Sequence, residues 1–221
     1  MRNLFKLLPI FPLLLPLSCN STGGSVAAYQ AYDRPTTLPT NLSDVRVKVS
    51  LAKQRAYVTE GNKMLLAMPV SVGKPSKPTP QGSFTITRKV SMYRANTHGY
   101  ATNGSEIRQT YLSKKPTGWK FKGTPMPYWC EFKTAYGFHT GWVKHYPCTH
   151  GCIRMHENLG PKFYRLVRVG TPVSIAYSQP EDLAYADMPL PPCSDPLPNY
   201  ESSMYWGDGY FIRHKTPEYT N

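Results

Sequence analysis

Two cysteines and two histidines fall within nine positions of this chain, in the stretch Cys148-Thr149-His150-Gly151-Cys152-Ile153-Arg154-Met155-His156, and His139 and His145 lie just upstream. Side chains of these types can hold a metal, form a disulfide or surround one reactive thiol. Tetrahedral zinc takes four N or S ligands. Cys148, His150, Cys152 and His156 supply them in kind but not in spacing, because the stretch has neither a CxxC pair nor an HxxxH on a helix. Disulfides are open to an exported chain, and Cys130, Cys148, Cys152 and Cys193 are enough for two bridges. If Cys152 remains a thiol, at most one bridge forms among the other three. The one expected ties Cys193 to Cys148 or Cys130.

The reactive-thiol reading accounts for more of the neighbours. A cysteine attacks as its thiolate, so it needs a base or a cation close by. His139 ends the apolar run AYGFH, 13 positions before Cys152, and is placed to be that base. Gly151 permits a tight turn that can aim successive N–H groups at a developing oxyanion. Arg154 adds positive charge or braces the loop. His145 and His156 are expected to be solvated loop histidines.

Such a site needs a scaffold that brings a strand end and a loop together. Val45, Val47, Val49 and Leu51 alternate with polar residues, the pattern of a half-buried strand. A second strand at 56–59 turns through Gly61-Asn62 into a third at 64–72. Residues 73–83 form a Pro/Gly/Lys loop before the alternating Phe84 and Ile86. Residues 91–125 show no clear period and are expected to be a long loop region, while MPYWCEF (126–132) and AYGFH (135–139) again have strand character. Tyr128 and Trp129 alternate there, so one should face the core and the other the cleft. After the Cys/His stretch, Leu159, Phe163, Leu166 and Val167 recur at helical spacing, with Asn158 as cap, Pro161 in the first turn and Gly170 at the end. TPVSIA (171–176) closes as a strand. With 16 Tyr, 22 Pro and 18% charged residues, the chain is expected to be mostly β.

The first 18 residues join a short basic start (Arg2, Lys6) to an apolar run broken by Pro9, Pro12 and Pro16, which has the character of a secretory signal. Ser18-Cys19 at its end resembles the junction of a bacterial lipoprotein, in which Cys19 is lipidated. Residues 19–44 are Ser/Thr/Gly/Pro-rich and are expected to be a flexible tether, with a folded domain at 45–177 and a Pro/Tyr-rich tail at 178–221. Basic residues number 26 and acidic 13. Loss of Arg2 and Lys6 with the leader leaves a surplus of 11, which favours polyanionic surroundings. No nucleic-acid motif accompanies it, so no nucleic-acid partner is expected.

THGCIRM preceded by GFHTG resembles the active-site signature of the L,D-transpeptidase (YkuD) family, bacterial enzymes that cross-link peptidoglycan through a catalytic cysteine. QRAYVTEGNKMLLAMPVSVGK, KPTPQGSFTITRK, PMPYWCEF and FYRLVRVGTPVSI resemble the family's other segments in order, over about 45–176. The resemblance implies a β-sandwich of mixed strands with one short amphipathic helix after the catalytic loop. It makes Cys152 the nucleophile, His139 its base, and Gly151 with Cys152 the backbone oxyanion donors. Thr140 would orient the imidazole through its carbonyl, and His150, Arg154 and Tyr128 would orient groups or contact substrate. The separation of 11 between His139 and His150 is shorter than in many members and is closer to a subgroup with a compact loop here.

The implied partner is a peptidoglycan tetrapeptide stem, which loses D-Ala through a thioester that passes to a diamino-acid amine of a second stem. No metal or organic cofactor is implied. Water or a protein lysine as acceptor would make the enzyme a carboxypeptidase or an anchoring enzyme, and a non-catalytic wall-binding lipoprotein is the rival from another class. The expected setting is the cell envelope, with the protein a monomer held to a membrane through Cys19.

Overall fold

The computed structural model describes residues 26–192 and 200–213, so the leader, Cys19 and Cys193 lie outside the described residues. Alternation at the start yields β1 (Val45–Ser50), with Val45, Val47 and Val49 buried and Arg46 exposed. It pairs antiparallel with β2 (Arg55–Glu60), which returns into β3 (Lys63–Ser71) through Gly61 at φ 56°. The remaining strands are β4 (Gly82–Thr85), β5 (Arg88–Thr102), β6 (Ile107–Tyr111), β7 (Lys120–Lys133), β8 (Tyr136–Thr140), β9 (Ile153–Met155) and β10 (Pro172–Ala176). They form one ladder in the order β4-β10-β1-β2-β3-β9-β8-β7-β5-β6. Among the described strands, only β1 with β10 and β8 with β9 are parallel.

The ladder turns at β3, which pairs with β2 along most of its length and with β9 at Val70 and Ser71. Its two halves then close on one core. Phe84 of β4 meets Phe132 of β7 at 5.4 Å, and the Thr87 N–H donates to the Glu131 carbonyl. The mostly β, mixed-strand sandwich is therefore observed. Helix α2 (Leu159–Leu166) covers this core with Leu159, Phe163 and Leu166, each fully buried and worth ~1.5–3 kcal/mol by apolar burial. Lys89 donates to the carbonyls of Tyr164 and Val167 at its C-terminal end, where a cation is favoured. Asn158 does not cap the helix with its side chain as expected. Its Nδ2 donates instead to the carbonyls of Gln30 and Tyr32.

Two expectations need correction. The region 91–125 is not a loop: β5, β6 and β7 form a long antiparallel arm through it, and a register shift between Arg94 and Gly99 breaks the alternation that would have revealed it. Residues 88–133 hold nine basic and two acidic residues, so the fold gathers onto one arm charges that look scattered in the chain. The tether expected at 19–44 is docked from Val26 onward. Helix α1 (Val26–Gln30) buries Tyr29, and Lys162 pairs with Asp33 at 2.6 Å. Tyr29 and Tyr32, both with their rings against His156, hold this segment, and they leave no period in the sequence. In the tail, α3 (Glu181–Ala184), α4 (Ser202–Trp206) and α5 (Gly209–Ile212) lie against the sheet. Asp182 accepts from Ser50 and Tyr57, and Tyr205, Tyr210 and Phe211 are buried.

Candidate active site

The site stands on the parallel pair β8–β9. Phe138 is the register partner of Ile153, and both are fully buried in the core. Side chains alternate across a strand, so His139 and Arg154, the next register pair, face the other way. Cys152, one residue before β9, shares that outer face, and its Sγ lies 3.8 Å from the Ala135 carbonyl oxygen. The Gly137 N–H donates to the same sulfur. Gly137 has no room for a side chain, because a Cβ there would lie 2.8 Å from the Trp129 ring. Trp129 stacks on Tyr93 at 4.7 Å, and its ring centre is 6.3 Å from that of His139.

His139 Nδ1 is 2.8 Å from the Thr140 carbonyl oxygen. A carbonyl only accepts, so Nδ1 carries the proton and Nε2 keeps the lone pair that can act as a base. The turn before Cys152 is built on Thr149, whose Oγ1 accepts from the Gly151 N–H at 3.1 Å and donates to the Cys152 carbonyl at 2.6 Å. Gly151 sits at φ 109°, and a Cβ would come within 2.5 Å of the Tyr136 ring, so only glycine fits. Buried Thr79 fastens this turn to the 73–82 loop, donating to the Gly151 carbonyl and accepting from the Gly73 N–H, each at 2.9 Å.

Burial sets the protonation of the pair. It lowers the His139 imidazole to about 4, helped by the Arg154 charge and opposed by the Thr140 hydrogen bond. Burial raises the Cys152 thiol, against the Gly137 N–H and the Arg154 charge. At neutral pH the resting pair is therefore a neutral thiol and a neutral imidazole. Such a pair activates sulfur by passing a proton as a bond forms, without a standing thiolate.

The other expected site residues separate. The Gly151 N–H, expected with that of Cys152 to be an oxyanion donor, is engaged by Thr149 Oγ1 at 3.1 Å. Tyr128 is corrected. It lies on the α2 side, its ring against Tyr164 at 5.5 Å, and Trp129 takes the site-facing position. Arg154 braces the loop, donating to the Trp142 carbonyl at 3.0 Å and lying 3.9 Å from Cys148 Sγ. His150 is exposed beside His98 of β5, at 5.3 Å between rings. Burial and the Lys74 charge lower its pKa.

His145 is exposed and bonds to the Pro191 carbonyl. His156 is not solvated as expected. It is fully buried, its Nε2 2.8 Å from the Tyr29 carbonyl oxygen, and burial lowers it to about 4. The side chains of Cys148, His150, Cys152 and His156 thus meet four different sets of neighbours. The expected bridge to Cys193 falls outside the described residues; Cys130 and Cys148 are thiols here, and Cys130 is sealed in the core with its thiol pushed up to about 12 by burial. Tyr93, Gly137 and Thr79 escaped the sequence reading, because only the folded sheet brings them to the site.

A thiol and an imidazole on one outer face of a mixed β-sandwich are a constellation suited to nucleophilic cysteine chemistry. The family model for the L,D-transpeptidase catalytic domain (YkuD) matches residues 44–175, and the chain belongs to this family. Similar solved structures include an L,D-transpeptidase from Mycobacterium smegmatis, with 21% identity and TM-score 0.47 over 60% of this chain and 58% of that one. An L,D-transpeptidase from Stackebrandtia nassauensis has 20% identity and TM-score 0.46 over 66% and 60%. One from Enterococcus faecium has 24% and 0.44 over 60% and 50%. The chain therefore spans three fifths or less of the length of these structures. No curated protein matches the sequence.

Proposed function

We propose that this protein is a peptidoglycan L,D-transpeptidase that uses Cys152 as nucleophile and His139 as base. The observation that carries the reading is the shared outer face of β8–β9, with Nδ1 of His139 committed to Thr140 and Nε2 left basic. Cys152 Sγ attacks the carbonyl of the third stem residue, a diamino acid, while its proton passes to Nε2 of His139. The tetrahedral oxyanion faces the Cys152 N–H. Collapse breaks the C–N bond, and His139 returns the proton to the departing D-Ala amine, leaving a thioester. An amine of a second stem then attacks, gives its proton to His139, and the thiolate leaves and is reprotonated. Two acyl transfers replace one difficult amide exchange. The basic arm of β5–β7 suits a substrate with several carboxylates.

The test is mass spectrometry of the protein with a tetrapeptide-stem muropeptide. Cys152 should gain a thioester mass, D-Ala should appear, and dimers linked between two diamino acids should follow when a second stem is added; Cys152→Ala should lose all three. A protein that binds peptidoglycan but takes no adduct from stem peptide or carbapenem is a wall-binding protein, and the transpeptidase reading fails.

The proposed setting is the cell envelope, with a diacylated Cys19 after removal of the 18-residue leader. Val26 is seven positions from Cys19, and an extended chain reaches ~3.3–3.6 Å per residue. The docked segment would hold the domain within ~25 Å of the anchor. An unmodified mature N-terminus found elsewhere by mass spectrometry would rule the anchor out.

A further inference from the structure

The loop 141–148 joins the strand of His139 to the turn of Cys152, and two segments outside residues 44–175 converge on it. From the N-terminal side, the Tyr29 hydroxyl accepts the Val143 N–H at 2.7 Å, and its ring lies 4.7 Å from that of Trp142. From the C-terminal side, Tyr200 stacks on the same Trp142 at 5.1 Å and 22°. The two segments also meet each other, since Gln30 Nε2 donates to the Tyr200 hydroxyl at 3.4 Å. Each is anchored independently. Asn158 holds the carbonyls of Gln30 and Tyr32, while the Tyr200 hydroxyl donates to Glu157 at 3.0 Å beneath the Arg213 guanidinium.

What this clamp holds is the support of the site. The Trp142 carbonyl accepts from Arg154 Nη1, and the Gly141 N–H donates to the Met155 carbonyl at 3.0 Å. The Arg154 stem packs so closely on Gly141 that a Cβ there would come within 2.8 Å of it. Arg154 is the register partner of His139 and lies two residues after Cys152. A displacement of the 141–143 backbone outward from β8–β9 would therefore draw the guanidinium away from both reacting groups. We infer that Tyr29 and Tyr200 are positioning residues for the Cys152–His139 pair, acting through Trp142 and Arg154, so that the reactive centre is completed by chain outside the family domain. The inference rests on the function proposed above.

Moving the guanidinium has a definite sign. Its charge favours the Cys152 thiolate and opposes the His139 imidazolium, so its retreat raises both groups. The other titratable groups around it are Cys148 and His150 on its own loop, Tyr29 from the N-terminal segment, and Tyr205 and Tyr210 from the C-terminal segment. The three tyrosines are raised by burial and stay neutral throughout the range used.

The experiment compares the full chain with Tyr29→Phe, which removes only the hydroxyl, and Tyr200→Leu, which removes a ring at a half-buried position. Two readouts are taken: the pH profile of Cys152 alkylation by iodoacetamide, followed on the Cys152 peptide by mass spectrometry, and the rate of acylation by a stem peptide or carbapenem. Both variants should slow acylation on the order of tenfold, as small misplacements of reacting groups do, and move the alkylation midpoint to higher pH. Profiles and rates that match the native protein, or rate losses that only follow the unfolded fraction in a thermal melt, overturn the inference. If the native protein accepts no acyl group yet the variants shift the alkylation profile, the transpeptidase reading falls and the positioning role stands.

Discussion

The sandwich contains two parallel strand pairs, β1–β10 and β8–β9, with the same kind of ladder and opposite uses. Each turns apolar side chains to the common core: Val47, Val49, Val173 and Ile175 in the first, Phe138 and Ile153 in the second. On the outer face of β1–β10, polar side chains are met by other side chains. Lys48 pairs with Glu181, Ser50 donates to Asp182 at 2.8 Å, and Tyr57 from β2 donates to the same carboxylate. On the outer face of β8–β9, His139 and Arg154 spend their hydrogen bonds on backbone carbonyls, Thr140 and Trp142. A side chain bonded to another is committed at its reactive end. An imidazole pinned through Nδ1 by a carbonyl is oriented while its other nitrogen remains basic.

The contrast is tested most strongly at His139. His139→Ala should slow acylation of Cys152 by ~10²–10⁴-fold, the usual contribution of a positioned base, measured as single-turnover thioester formation. A loss no larger than that from a substitution on the β1–β10 face would erase the distinction between the pairs.

The pH dependence is the next largest effect. His139 must be neutral to accept a proton, and its pKa is lowered from 6.5 to about 4 by burial and Arg154. Acylation should therefore hold steady as pH falls through 6.5 and drop only near about 4. Arg154→Gln removes a repelling charge, which stabilises the imidazolium and should move this acid limb upward. An acid limb near 6.5 in the native protein would mean an imidazole in open water and would sink the account of the pair.

The smallest effect belongs to the first pair. Ser50→Ala leaves Asp182 with one fewer donor in a buried setting and should cost ~1–3 kcal/mol of stability in chemical denaturation. Acylation by the folded protein should be unchanged. A comparable fall in acylation would show that the two outer faces are coupled.

How much was legible follows from range. Period-2 alternation at Val45, Val47 and Val49 announced β1, and the spacing of Leu159, Phe163 and Leu166 announced α2, because each pattern reports a local face turned to one core. The arm of β5–β7 was hidden because most of β5 and all of β6 stay wet, the buried positions of β7 before Trp129 are Gly123, Pro125 and Pro127 and not an apolar series, and a bulge shifts the register midway. Tyr128 and Trp129 illustrate a narrower limit. Their alternation said that one faces the cleft, but only the packing of Trp129 near His139 and of Tyr128 against Tyr164 decided which.

The sequence by itself determined the chemistry of the centre. Cys152, His139 and a glycine at 151 are residue types whose reactivity and backbone freedom belong to them wherever they fold, and their order along the chain carries the family resemblance. Tertiary structure alone decided the state of that chemistry. The neutral thiol and imidazole come from burial, the engagement of the Gly151 N–H comes from Thr149, and the setting of Arg154 comes from Tyr29 and Tyr200, which bracket it from opposite ends of the described chain. Solvation and hydrogen bonding between residues more than a hundred positions apart depend on distances that no local pattern encodes.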